Sequence, residues 1–169
     1  YSVHGVDVVA STVDIINQGK IHIVEPDLDT FVRAAVNSGN LKASLTPDVA
    51  DVFIIAVPTP FHEGYVPNVD YVVSATKAIA PFVKEGDIVI LESTSPVGTT
   101  DLVGDTLKEQ GVDTSKLFIA HCPERVLPGH IMRELVENDR IVGGLTAEAT
   151  EKTVEFYKTF VSGAVLSTD

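Results

Sequence analysis

Cysteine is almost absent: Cys122 is the only one in 169 residues. No intramolecular disulfide is possible, and a single thiol points to a reducing, cytoplasmic setting. Basic residues are scarce too. Twelve Lys and Arg stand against 24 Asp and Glu, a formal charge of −12. A surface of that sign repels phosphate backbones and anionic membranes, so neither nucleic acid nor a membrane is an expected partner. One anionic ligand held by backbone amides remains compatible with it. No apolar run approaches the ~20 residues that span a bilayer, and no signal peptide is expected. His4, His22, His62, His121 and His130 show no zinc-type spacing, so no metal site is expected. The 44% hydrophobic and 21% charged residues place the chain among ordinary globular domains and exclude disorder for most of it.

The phosphate-binding pattern G-x-G-x-x-G occurs nowhere, and Gly143-Gly144 lacks the glycine that should follow. The first strand is expected at Val6–Val9. Read so, no acidic residue ends it before Asp14, whereas a dinucleotide fold carries one there for a ribose. The chain opens at Tyr1 without Met and runs at once into a strand pattern, so a segment is expected upstream.

Short β-branched runs alternate with amphipathic stretches. Helices are expected at Ser11–Gln18 (capped by Ser11), Pro26–Ser38, Val69–Lys84 with an early end at Pro81, Gly98–Gln110, Ile131–Glu137 and, capped by Thr146, on to Phe160. Further strands are expected at Leu41–Leu45, Val52–Val57, Asp87–Glu92, Leu117–His121, Arg140–Val142 and Ala164–Ser167. Val52–Val57 is almost continuously apolar, as in a strand buried on both faces. Strands separated by helices imply βαβ units: an α/β fold with a parallel sheet and helices on both faces. Such sheets bind ligands beyond the carboxyl ends of their strands.

Those ends carry the chemistry. Val57-Pro58-Thr59-Pro60 follows one buried run, Glu92-Ser93-Thr94-Ser95-Pro96-Val97-Gly98 the next, and His121-Cys122-Pro123-Glu124-Arg125-Val126-Leu127-Pro128-Gly129 the third. Thr59 and Thr94 offer hydroxyls to a ligand or to local backbone. The Ser93–Gly98 segment opens a helix whose N-terminus favours an anion such as a pyrophosphate. Glu124, partly buried behind Pro123, suits a general base; a salt bridge to Arg125 or Arg140 is the competing reading. Cys122, wedged between a strand and a proline, reads as packing rather than as a nucleophile.

These strings resemble the nucleotide-sugar 6-dehydrogenase family, most of all its UDP-N-acetyl-mannosamine branch. The likeness extends over Ile21–Leu28, Phe53–Pro60, Glu92–Gly98, His121–Gly129 and Arg140–Gly144. It implies a Rossmann-like fold whose first βα unit is missing here, so that residues 1–169 are part of an N-terminal NAD-binding domain, with a central helix and a UDP-binding domain lying beyond. It implies two hydride transfers from a UDP-sugar C6 alcohol to two NAD, through a cysteine thioester, for surface polysaccharide synthesis. By the same resemblance Val57, Pro58, Thr59, Ser93 and Thr94 contact NAD, Thr94 and Glu124 are catalytic, and Arg125, Val126 and Leu127 line the sugar-nucleotide site. The family nucleophile lies downstream, so Cys122 is not it and the chain alone should be inactive. A homodimer is implied as well. Against the family pattern, several residues would be missing between Val9 and Ser11. UDP-glucose as substrate, or a non-catalytic interaction module, are the alternatives.

Overall fold

The computed structural model describes residues 1–168. The described residues form two compact units, one of residues 1–48 and 126–135, the other of 49–125 and 136–168.

In the first unit, strand β1 (Val3–Val6) pairs in parallel with β2 (Leu41–Ser44), in the register Val3↔Leu41 to Val6↔Ser44. Helices α1 (Ala10–Asn17) and α2 (Leu28–Asn37) lie between them in sequence. The expected strand Val6–Val9 is therefore out of register. The strand ends at Val6, and Asp7–Val9 form a short turn into α1. Val8 and Val9 are exposed, so their β-branched character did not signal burial. A three-residue link is ordinary for a βα connection, so no residues need be missing between Val9 and Ser11. Ser11 lies inside α1, whose N-cap is Val9 without a side-chain cap.

The second unit is a five-stranded sheet in the order β3-β4-β5-β6-β7. Its strands are Val52–Ile55, Ile88–Leu91, Phe118–His121, Arg140–Gly144 and Val165–Thr168. β3, β4 and β5 run parallel, as do β6 and β7, but β6 is antiparallel to β5 through Ala120↔Gly144 and His121↔Gly143. The expected parallel sheet thus carries one antiparallel pair. The link over residues 122–139, with its seven-residue helix α5 (Ile131–Glu137), is long enough for either direction. Apolar run length carries no information on strand direction.

Helices α3 (Asp70–Ile79) and α4 (Thr99–Glu109) contribute to one core with Phe53, Ile55, Val89, Leu91 and Ile119. Helix α6 (Ala147–Tyr157) contributes Tyr157 to a second, with Ile90, Ala120, Cys122 and Val142. Alternate β4 residues feed the two cores, so helices cover both faces as expected. β3 is only half such a strand: Phe53 and Ile55 are buried, while Ile54 is 45% exposed. Pro81 does end α3 early, in a single 3₁₀ turn over Ala80–Phe82. Thr146 does cap α6, its hydroxyl accepting from the Ala149 N–H.

Candidate functional site

In the second unit three parallel strands end side by side, as the sheet rule requires. The Ile55 carbonyl accepts from the Glu92 and Ser93 N–H groups, and the Leu91 carbonyl from the Cys122 N–H. The Glu124 N–H continues the sequence, donating to the Glu92 carbonyl at 3.1 Å. Side chains then tie the loops. Ser93 Oγ accepts from the Val57 N–H at 2.8 Å and donates to the Val57 carbonyl at 2.7 Å. Thr59 Oγ1 donates to the Thr94 carbonyl at 2.6 Å. Thus Val57, Thr59, Ser93 and Thr94 are brought together. The Ser93 and Thr59 hydroxyls bond backbone, Pro58 is exposed, and the Thr94 side chain is exposed at the rim. Beyond it Gly98 takes a φ of 88° at the N-cap of α4, a conformation glycine adopts without strain.

Behind this edge sits a charge cluster around one buried arginine. Arg140, only 3% exposed, opens β6. Its Nη1 donates to Glu124 Oε2 at 2.7 Å and lies 3.7 Å from Glu92 Oε1. Its guanidinium rests over the Tyr157 ring, 5.4 Å from the centroid. The Tyr157 hydroxyl donates to Glu92 Oε1 at 3.0 Å. One cation therefore serves two carboxylates. Burial pushes the Glu92 carboxyl above its ordinary range, with the nearby Glu124 adding to it, although the Tyr157 hydroxyl and Arg140 pull the other way. Burial also raises the Tyr157 phenol and the Cys122 thiol. A fully buried thiol moved away from thiolate is a poor nucleophile, which agrees with its reading as packing.

Of the two salt bridges considered for Glu124, the structure contains the one with Arg140. Arg125 touches Glu124 only through its backbone N–H, at 2.6 Å to Oε1, while its guanidinium donates to the Asp139 carbonyl at 3.0 Å. Both Glu124 oxygens are engaged, and the carboxylate is held in one orientation at the strand end. Glu92 and Tyr157 went unnoticed as partners. The available signal was a carboxylate, Glu92, ending an otherwise wholly apolar run.

Val126 and Leu127 belong to the first unit, where the Leu127 N–H donates to Glu134 Oε2 at 2.8 Å and the Leu127 side chain is exposed. That unit also holds the acidic residue thought missing. Asp7 directly follows β1, and its Oδ1 accepts from the Val9 N–H at 2.8 Å. A carboxylate between a parallel strand and its helix is what the ribose of a dinucleotide requires. As an acceptor for ribose hydroxyls, the Asp7 carboxylate therefore fits an adenosine ribose. Misplacing the strand by three residues hid it.

A family model for the NAD-binding domain of the UDP-glucose/GDP-mannose dehydrogenase family matches residues 1–161. The chain belongs to this family. Within this dehydrogenase family, a UDP-N-acetyl-D-mannosamine dehydrogenase of Campylobacter jejuni is 54% identical over 98% of the chain and 43% of its own length. An NDP-N-acetyl-D-galactosaminuronic acid dehydrogenase of Ralstonia nicotianae is 53% identical over 98% of the chain and 41% of its own. Among solved structures, the UDP-N-acetyl-mannosamine dehydrogenase Cap5O of Staphylococcus aureus superposes with a TM-score of 0.93 at 41% identity, covering 99% of the chain and 42% of that protein. The chain thus spans about two fifths of the length of the relatives it matches. Among the described residues no helix is long and apolar enough to cross a membrane.

Proposed function

We propose that this chain is the N-terminal NAD-binding domain of a longer enzyme that oxidises the C6 alcohol of UDP-N-acetyl-D-mannosamine to the carboxylate. The overall change is alcohol + 2 NAD⁺ + H₂O → carboxylate + 2 NADH + 3 H⁺. Bound NAD would supply the hydride acceptor for both oxidations. The observation that carries the reading is the Glu124 carboxylate, held by Arg140 at the end of β5 in a family of NAD-dependent dehydrogenases.

In this reading Asp7 holds the adenosine ribose. Val57, Pro58, Thr59, Ser93 and Thr94 contact the cofactor, the first four as a rigid ledge and Thr94 through its exposed hydroxyl. Thr94 and Glu124 are the catalytic groups of this chain. In the hydrolytic second stage Glu124 takes a proton from the attacking water, and the buried Arg140 keeps the carboxylate aimed. Arg125, Val126 and Leu127 line the sugar-nucleotide site. By the family resemblance the longer enzyme is a cytoplasmic homodimer.

The test is the full-length protein given UDP-N-acetyl-mannosamine, with NADH counted per sugar and light scattering for the dimer. Two NADH per sugar are expected. Glu124→Gln should slow acid formation about a thousandfold, ~4 kcal/mol of barrier, more than it slows the first hydride transfer. Equal slowing of both steps removes the base role. A second reading, a substrate of the N-acetyl-galactosamine series, is favoured by the Ralstonia relative's name. Both amino sugars and UDP-glucose belong in the same assay.

A further inference from the structure

The string Ile21–Leu28 finds no use in the chemistry above, yet it contains the only acidic side chain of the first unit that is buried. Glu25 is 6% exposed. No salt bridge of the described residues reaches it, and both its oxygens meet backbone. Oε2 accepts from the Gly129 N–H at 2.8 Å, and Oε1 from the Ile131 N–H at 2.8 Å. These donors stand more than a hundred residues away, on the segment that follows Glu124 in sequence. A carboxylate against amide groups at a helix start is favourable in charge as well as geometry.

The rest of that segment is equally well tied. The Leu127 N–H donates to Glu134 Oε2, and the His130 N–H to the Leu127 carbonyl at 3.1 Å. Every backbone N–H from Leu127 to Ile131 therefore has an acceptor, Pro128 having none to give. Gly129 takes a φ of 92°, which other residues adopt only with strain. Glu25 alone accepts two of these four bonds. The segment has no apolar core of its own: Leu127, Pro128, Gly129 and His130 are all exposed. Its shape rests on the two carboxylates.

We propose that Glu25 is a positioning residue for the sugar nucleotide: it sets the backbone shape of Val126–His130 and so the affinity for the UDP-sugar, without touching substrate. This rests on the reading that Val126 and Leu127 line the sugar-nucleotide site. A carboxylate is needed because two N–H donors converge on it; a carboxamide presents one oxygen and turns its NH₂ against the other donor.

The experiment compares full-length wild type with Glu25→Gln, using UDP-N-acetyl-mannosamine and NAD. The expected result is a rise of tenfold or more in KM for the sugar nucleotide, with kcat and KM for NAD within twofold. Amide exchange at Gly129 and Ile131 should accelerate in parallel. Unchanged KM for the sugar, or a parallel loss in kcat and both KM values that tracks thermal stability, overturns the proposal. Should Glu25→Gln not fold, Glu25→Asp, which keeps the charge and shortens the reach by one methylene, carries the same test. Failure of both to fold marks Glu25 as purely structural and also overturns it. A wild type that forms no NADH from any UDP-sugar overturns the functional reading itself, whereas an active wild type with an unaffected variant overturns only the role of Glu25.

Discussion

The two units are built by different forces. In the second, Val72, Val89, Ile90, Leu91, Leu107 and Val142 are wholly buried, and even its charged cluster is stacked on and bonded to the buried Tyr157. In the first, Val13 is the only apolar side chain buried to a comparable degree. Hydrogen bonds take over there. The Asn17 carboxamide accepts from the Ala43 N–H at 2.8 Å and donates to the Ala43 carbonyl at 2.9 Å, standing in for a neighbouring strand along β2. Glu25 does the same for the segment after Val126. Packing therefore fixes the strands behind Glu124, whose carboxylate Arg140 holds, while polar contacts alone fix the segment proposed for the sugar nucleotide. A site of the first kind is rigid by default, and one of the second can be adjusted by single polar substitutions.

The sharpest break of this contrast is Arg140→Met. It removes the cation between Glu92 and Glu124 and leaves two half-buried carboxylates side by side without it. Removing one partner of a buried pair costs about 3–5 kcal/mol. In the full-length protein this should appear as faster amide exchange across β4, β5 and β6. A loss below 1 kcal/mol would mean that water already screens the cluster. Next in size is Leu107→Ala, which opens a cavity in the α3–α4 core and should cost about 3 kcal/mol in the same measurement. Asn17→Ala in the first unit removes two hydrogen bonds at an exposed edge and should cost only about 1 kcal/mol, read from exchange in β2. If Asn17→Ala equals or exceeds Leu107→Ala, the division into a packed and a hydrogen-bonded unit is wrong.

Most of the second unit was legible in sequence because its strands are apolar runs punctuated by proline and glycine. Asp87–Glu92 and Leu117–His121 lie within one residue of the observed strands at each end. The meeting of Thr59, Ser93 and Glu124 at one edge followed from the parallel rule alone. The direction of β6 did not, because pairing geometry leaves no mark on hydropathy. The first unit was less legible for the reason it is less packed: Val8 and Val9 are exposed valines, so an apolar pattern pointed to a strand where there is a turn, and Asp7 was swallowed by it. Glu25 was read as part of a string without a role, since its partners Gly129 and Ile131 are linked to it only by the fold.

The smallest effect tests how the charge cluster is balanced. Burial and the neighbouring Glu124 raise the Glu92 carboxyl from its ordinary 4.5. The folded state then binds that proton more tightly than the unfolded chain. The stability Glu92 contributes is complete below about 4.5 and is lost as pH rises through its raised folded value. Glu92→Gln, which cannot ionise, should remove that slope while keeping an oxygen for the Tyr157 hydroxyl. The difference between wild type and Glu92→Gln, followed by exchange at β4 amides from pH 4 to 7, should therefore change in the variant's favour with rising pH. A difference that stays flat shows that Arg140 and Tyr157 fully offset the desolvation of Glu92. A difference that changes in the wild type's favour with rising pH shows Arg140 favouring Glu92 over Glu124, and would reassign the cation's main partner.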